Sequence, residues 1–322
     1  MSLAIKSELQ MDDVPSDQIH LYIFTFLSIR DLLSLCIVSK QLQVLVQDHL
    51  EDRLTSFFGR WVHKVPHFRL VLRLTGGIVG GSALLSLLSK NEDWGWWETD
   101  LLDIFAPKGS ASTILSHLLQ PESEEYTVIS EIPPTIPSLV VGVEYIYQLR
   151  RADSTCINVT ITTFGPPSLS LTHCGCTLLM NFLTADTLYV PYPKYTFSGI
   201  AFYTVEPSSP PEFAQVVAAF KYLGYSWPDT LPPIPHEHTP WCREAHCMGS
   251  YRTFHDLGGL RVSMRGDGMF FRAKDEGVMW RFGVLDGIQC HTFIDSQGIV
   301  SNGTPLTPTL TISPRYNAVG GF

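Results

Sequence analysis

A glycine-rich turn followed by acidic residues is the stretch best suited to chemistry. Gly80-Gly81-Ser82 can bring backbone close to a ligand, because glycine carries no Cβ. Ser82 can cap a helix over Ala83–Leu88, and a helix start behind such a turn suits a phosphate. Leu101–Phe105 reads as a strand bearing Asp103, with Asp100 just ahead of it. Carboxylates hold divalent metals when they share a face. Asp100 and Asp103 are three residues apart, so a regular strand turns them to opposite faces. A bulge at Leu101-Leu102 would realign them, and Glu98-x-Asp100 offers a second pair.

A second group of reactive side chains lies in a proline-marked loop. His236, His238, Cys242, His246 and Cys247 fall between and after Pro228, Pro232, Pro233, Pro235 and Pro240. Imidazoles and thiolates this close can bind zinc, and Cys242 and His246 would share a helix face. Their spacing fits none of the usual paired-ligand patterns, and His246 and Cys247 are adjacent. A His-rich loop is therefore the better reading, with no metal or cofactor expected. A Cys–His nucleophile lacks an orienting third group nearby.

What must position these residues is a chain of 322 residues, enough for one large or two ordinary domains. It is 45% hydrophobic and 16% charged, so it fills a core easily. The net charge of −9, with no basic block, argues against nucleic acid or an anionic membrane as partner. Residues 1–15 show neither a basic nor an apolar leader region, and no run is long enough to span a bilayer. Seven scattered cysteines suit a reducing compartment, so a cytoplasmic or nuclear location is expected.

The N-terminal stretch from Val14 to Leu54 has the clearest periodicity. Ile19, Ile23, Phe26 and Leu27 share one helix face, with Pro15 in the first turn. Ser28 can cap the next helix, with Asp31 in its first turn. Leu32, Leu33, Leu35, Ile37 and Val38 follow, Ser39-Lys40 breaks the apolar run, and Leu42, Leu45, Val46 and Leu50 mark a third helix. Val14-Pro15, Ile23-x-x-Phe26-Leu27, Ile29-x-Asp31-Leu32-Leu33 and Leu35-x-x-Val38-Ser39-Lys40 together resemble the F-box, ungapped over about forty residues. Gln41-Leu42 departs from that family's usual basic residue and Trp. The resemblance implies docking on a Skp-type adaptor within a cullin–RING ubiquitin ligase. Exposed apolar residues among Pro15, Ile23, Leu27, Leu32, Leu33 and Val38 would make that contact.

The glycine turn and its strand carry a second resemblance, to the nucleotidyltransferase fold. Gly81 and Ser82 match that family's Gly-Ser, and Asp103-Ile104-Phe105 matches its second acid and strand. The first acid should fall at Leu101 and does not, Asn158 stands where a third acid is wanted, and the 17 residues between Ser82 and Asp100 are too many. The resemblance thus implies a degenerate, non-catalytic version of the fold, with Gly81, Ser82, Asp100 and Asp103 as the candidate nucleotide or metal residues. An F-box followed by Gly-Ser, Leu102-Asp103-Ile104, Cys156-Ile157-Asn158-Val159, Leu179–Thr184 and Tyr192–Phe197 resembles a group of uncharacterised proteins of mushroom-forming fungi.

The remaining stretches alternate strand and helix. Leu139–Leu149 and Ile157–Thr163 are strand-like, Cys176–Leu183 is a short helix or a buried strand, and Pro211 to Gly224 bounds a helix with a stripe of Phe213, Val216, Val217, Phe220 and Leu223. Leu260–Met264 and Met269–Phe271 flank an Asp267-Gly268 hairpin signal. The expected fold is α+β: a three-helix F-box module over residues 12–58, a nucleotidyltransferase-like α/β region over 65–205, and a helix, Pro-rich loop and β-rich part over 206–322. Phe57, Phe58 and Trp61 make the connection between the first two too apolar for a free tether. The expected function is a substrate receptor of a Skp–cullin–F-box ligase. A nucleotide-binding or nucleotidyl-transferring enzyme tethered by an F-box, and a stand-alone interaction protein, are the alternatives.

Overall fold

The structure, a computed structural model, describes residues 16–88, 101–133, 142–163, 166–172, 174–202, 211–228, 252–254, 256, 258–265, 279–282 and 292–293. It is a mixed α+β protein. Helices come first: α1 (Ser16–Thr25), α2 (Ile29–Cys36), α3 (Lys40–Gly59) and α4 (Val65–Thr75). Ser28 starts α2 with a capping box, its Oγ accepting from Asp31 N at 3.2 Å while Asp31 Oδ2 accepts from Ser28 N at 3.2 Å. Ser39 starts α3 with a one-way cap, its Oγ accepting from Leu42 N at 3.1 Å. Among the described residues no helix is long and apolar enough to cross a membrane.

Phe24, Ile29, Leu32, Val46, Leu50 and Leu54 close the core between α1, α2 and α3. Ile23, expected among the exposed apolar residues, is exposed, and α1 is anchored from another position. Phe24 is turned inward, edge-on to His49 at 5.6 Å, while Ile19, Ile23 and Phe26 are exposed. A ten-residue helix lying against one neighbour covers only part of a wide apolar stripe. The connection after residue 54 is helix and core rather than a linker. Phe57, Phe58 and Trp61 are buried, and the Phe58 ring meets Phe68 of α4 at 5.3 Å.

Beyond α4 the chain builds β1 (Ile78–Gly80), α5 (Ala83–Leu88), β2 (Leu101–Pro107), α6 (Ala111–Leu119), β3 (Thr127–Ile132), β4 (Val143–Arg150) and β5 (Cys156–Thr162). Then follow α7 (Ser168–Leu171), a 3-10 turn over Thr177–Met180, β6 (Phe182–Leu183), β7 (Thr187–Val190), α8 (Pro193–Thr196) and α9 (Pro211–Tyr222). The last described elements are β8 (Arg252–Thr253), β9 (Leu260–Ser263), β10 (Met279–Phe282) and β11 (Thr292–Phe293). The stretch 176–183 is thus both things it could have been, a tight helical turn and then a buried strand. The expected strand from Leu139 is described from Val143 onward.

Eight strands form one sheet in the order β3-β4-β5-β2-β1-β6-β7-β9, in which β2 and β5 run parallel and the other neighbours antiparallel. A small second sheet is ordered β11-β10-β8. Strand β9 extends the large sheet through β7, so that sheet draws on the regions assigned to 65–205 and to 206–322. The Asp267-Gly268 hairpin lies outside the described residues.

Strand alternation divides the sheet into two faces. Leu102, Ile104 and Ala106 of β2, with Ile157, Val159 and Ile161 of β5, point into the large core shared with the helices. Asp103 and Phe105, with Asn158 and Thr160, point the other way. That second face carries the site.

Candidate functional site

The ladders place the site residues before any side chain is considered. Gly80 pairs with Asp103, and Asp103 with Asn158, so a glycine, an acid and an amide stand side by side across β1, β2 and β5. The β2–β5 register is unbroken from Leu101 to Pro107, so the bulge that would have realigned Asp103 with a neighbouring acid is absent. Asp100 and Glu98 lie outside the described residues.

Asp103 and Asn158 form the floor of a cavity of about 430 Å³. Asn158 Nδ2 donates to Asp103 Oδ1 at 2.9 Å. Gly81, at φ 79°, forms the rim beside Ser82, and a Cβ built on Gly81 would collide with Asp103 Oδ2. Gly81 is therefore where the acid and the turn touch. Phe105 and Thr160 extend the floor, Ile146 of β4 flanks it, and Leu179, Val216, Ala219 and Phe220 wall it. The α9 stripe expected to be core is split: Val217 and Phe220 are buried, whereas Val216 stays exposed at the cavity wall.

Electrostatics set this acid apart. Burial pushes the Asp103 carboxyl above its ordinary value, and the Asn158 hydrogen bond only partly opposes that. No lysine, arginine or histidine among the described residues lines the cavity. Cys174 lines it too, but burial raises its thiol far above the range in which it would ionise, with Cys176 and Asp103 adding to the shift. Among the described residues no group of three or more His, Cys, Asp or Glu side chains is placed to hold a metal ion. His236, His238, Cys242, His246 and Cys247 lie outside the described residues.

The helical candidates divide sharply by exposure. Ile23 is 47% and Val38 68% exposed, Leu27 and Leu33 are half-buried, and Pro15 lies outside the described residues. Leu32, expected in the exposed set, is 0% exposed and belongs to the core under α2. The motif does not separate the residues that hold the helices together from those that face out. Ile37, 87% exposed, and Tyr22, 68%, are exposed apolar positions that the candidate set lacked. Both sit inside the apolar runs, so the signal was there.

Two buried polar clusters carry no sequence signal. Glu124, fully buried, accepts from His63 N at 2.5 Å and Lys64 N at 3.0 Å, with His117 Nε2 3.8 Å away. Burial and the neighbouring His67 keep His117 below its ordinary pKa, against the pull of Glu124. Asp186 accepts from Arg69 Nη2 at 2.8 Å and from Arg73 Nε and Nη2 at 2.7 Å, while Arg69 also pairs with Glu51 of α3. This second cluster ties α3 and α4 to the β6–β7 turn. The helices are therefore not a freely swinging appendage.

No family model, curated protein or solved structure matches the chain.

Proposed function

We propose that the N-terminal helices dock a Skp-type adaptor of a cullin–RING ubiquitin ligase, and that the sheet-bearing body presents a substrate or senses a ligand. One observation supports this most. Of the fifteen large apolar side chains exposed among the described residues, eight fall between Ile19 and Val44. Single exposed apolar residues are ordinary, but a concentration of them on a few short helices marks a binding face. Here it is Ile19, Tyr22 and Ile23 on α1, Phe26 just after it, and Ile37 and Val38 at the α2–α3 turn, backed by a closed core. An apolar face on short helices suits burial against another protein's helices. Three of these, Ile23, Phe26 and Val38, are also residues that carry the F-box resemblance.

Nucleotidyl transfer is the weaker reading. It needs acids that share a metal, and the one acid in the described cavity is paired with the Asn158 amide.

The test is a pull-down of full-length protein with a purified Skp-type adaptor. Ile37→Asp with Val38→Asp should abolish capture while leaving thermal stability within about 0.5 kcal/mol, because both side chains already face water. Substituting Leu32 would be uninformative, since a charge there unfolds the helices. Capture retained by the double variant, or none by a folded wild type, overturns the proposal.

A further inference from the structure

Among the described residues the cavity is lined by one carboxyl and no basic side chain. Asp103 Oδ1 is taken by Asn158 Nδ2, the one hydrogen bond Asp103 makes among the described residues, and Oδ2 lies against Gly81. A carboxylate withdrawn from water is costly unless paired, and surrounding protein ordinarily supplies a base. This protein does so elsewhere, at Asp186 and at Asp256 with Arg252, whereas at Asp103 no base stands among the described residues. The rest of the described lining is largely apolar: Phe105, Ile146, Leu179, Val216 and Phe220. About 430 Å³ is within the range of small-molecule sites.

We propose that this cavity binds a small amphipathic cation, its primary ammonium group against Asp103 Oδ2 and its apolar remainder against Phe105, Leu179, Val216 and Phe220. An ammonium supplies a positive charge and can also donate to Asn158 Oδ1, which accepts no hydrogen bond among the described residues. Among the described residues a nucleotide's phosphates would meet a carboxylate and no base. A bare divalent ion would find one carboxylate, one amide oxygen and the hydroxyls of Ser82 and Thr160, short of the roughly six ligands it takes. Gly81 is part of the fit, because any side chain there would occupy the space beside Oδ2. The site is independent of adaptor docking, so either proposal can fail without the other.

Calorimetric titration of the full-length protein at neutral pH with phenethylamine, phenethyl alcohol and phenylacetate tests this. The three share an aromatic body and differ in charge. Saturable phenethylamine binding, millimolar or tighter, is expected at least about ten-fold tighter than the alcohol, with no saturable phenylacetate binding. Asp103→Asn keeps the shape and removes the charge, so it should bring the amine down to the alcohol's affinity. Ala219→Trp fills the cavity from α9 without touching the carboxylate, and should weaken both. Should Asp103→Asn not fold, the ligand order and Ala219→Trp still decide the matter. Amine binding no tighter than the alcohol's, unchanged in either folded variant, or missing in folded wild type overturns the proposal.

Discussion

Asp186 is buried and Asp103 half-buried, and the molecule treats the two acids in opposite ways. Burial would raise the pKa of Asp186, but hydrogen bonds from Arg73 and Arg69 overcome it and hold the carboxyl below its ordinary value. Arg265 stands 3.9 Å away as a third cation. Burial raises Asp103 as well, and there only an amide opposes it. The first acid is 4% exposed and packed in protein; the second faces a cavity. A buried charge matched by its neighbours is part of the scaffold. One left unmatched beside an empty space is a candidate site, since scaffold needs alone would favour removing it.

Asp186→Ala breaks the scaffold side of the contrast and should have the largest effect. It strips Arg69 and Arg73 of their shared partner and cuts the tie between α4 and the β6–β7 turn. Arg69 keeps Glu51 and the Ala185 carbonyl, so the expected loss is about 3 kcal/mol, the low end for breaking a buried pair. Urea unfolding measures it. Because the folded pKa is depressed, this stability is present above the ordinary carboxylate value near pH ~4 and is lost as pH falls through the lower folded value. The wild type should therefore converge on the variant in acid. A gap that persists there would mean the charge is not what holds the junction.

Gly81→Ala tests the cavity side, with an intermediate effect. The new Cβ must adopt a positive φ and also collide with Asp103 Oδ2. Together these should cost about 2 kcal/mol. Shortening the acid relieves the collision but not the backbone strain. Asp103→Ser in the Gly81→Ala background should thus recover roughly half of the loss, and a double-mutant cycle reads the coupling directly. Strict additivity would show that Gly81 and Asp103 do not press on one another.

How much of this was legible in the sequence follows from range. Ser28 and Asp31 act on one another three residues apart, so that helix start could be read from the chain, while Ser39, read only as a break in the apolar run, is the cap of α3. Gly81, Ser82 and Asp103 were singled out by a local turn and strand pattern, and the ladders bring them together with Asn158. Arg69 and Asp186 are 117 residues apart, and His63 and Glu124 61, with nothing local to announce either partner. Leu32 and Val38 look alike as apolar letters; only packing against Val46 and Leu50 makes one core and the other surface. Residue type reveals which side chains can act, while their pairing depends on contacts that close across the sheet.

Asp103→Asn carries the smallest expected effect and the most telling sign. The substitution keeps an acceptor for Asn158 Nδ2 and removes the unmatched charge. Stability at neutral pH should therefore rise, on the order of 1 kcal/mol, where most substitutions lower it. The pH dependence is the reverse of that at Asp186. A carboxyl whose folded pKa is raised holds its proton in the folded state where the unfolded chain has released it, so wild-type stability falls as pH rises through that window. The advantage of the variant should be greatest at neutral pH and close as pH drops into the ordinary carboxylate range. Thermal unfolding of both proteins from neutral to acid pH measures it. If Asp103→Asn instead loses stability at every pH, the acid is a structural partner like Asp186 and the contrast between them collapses.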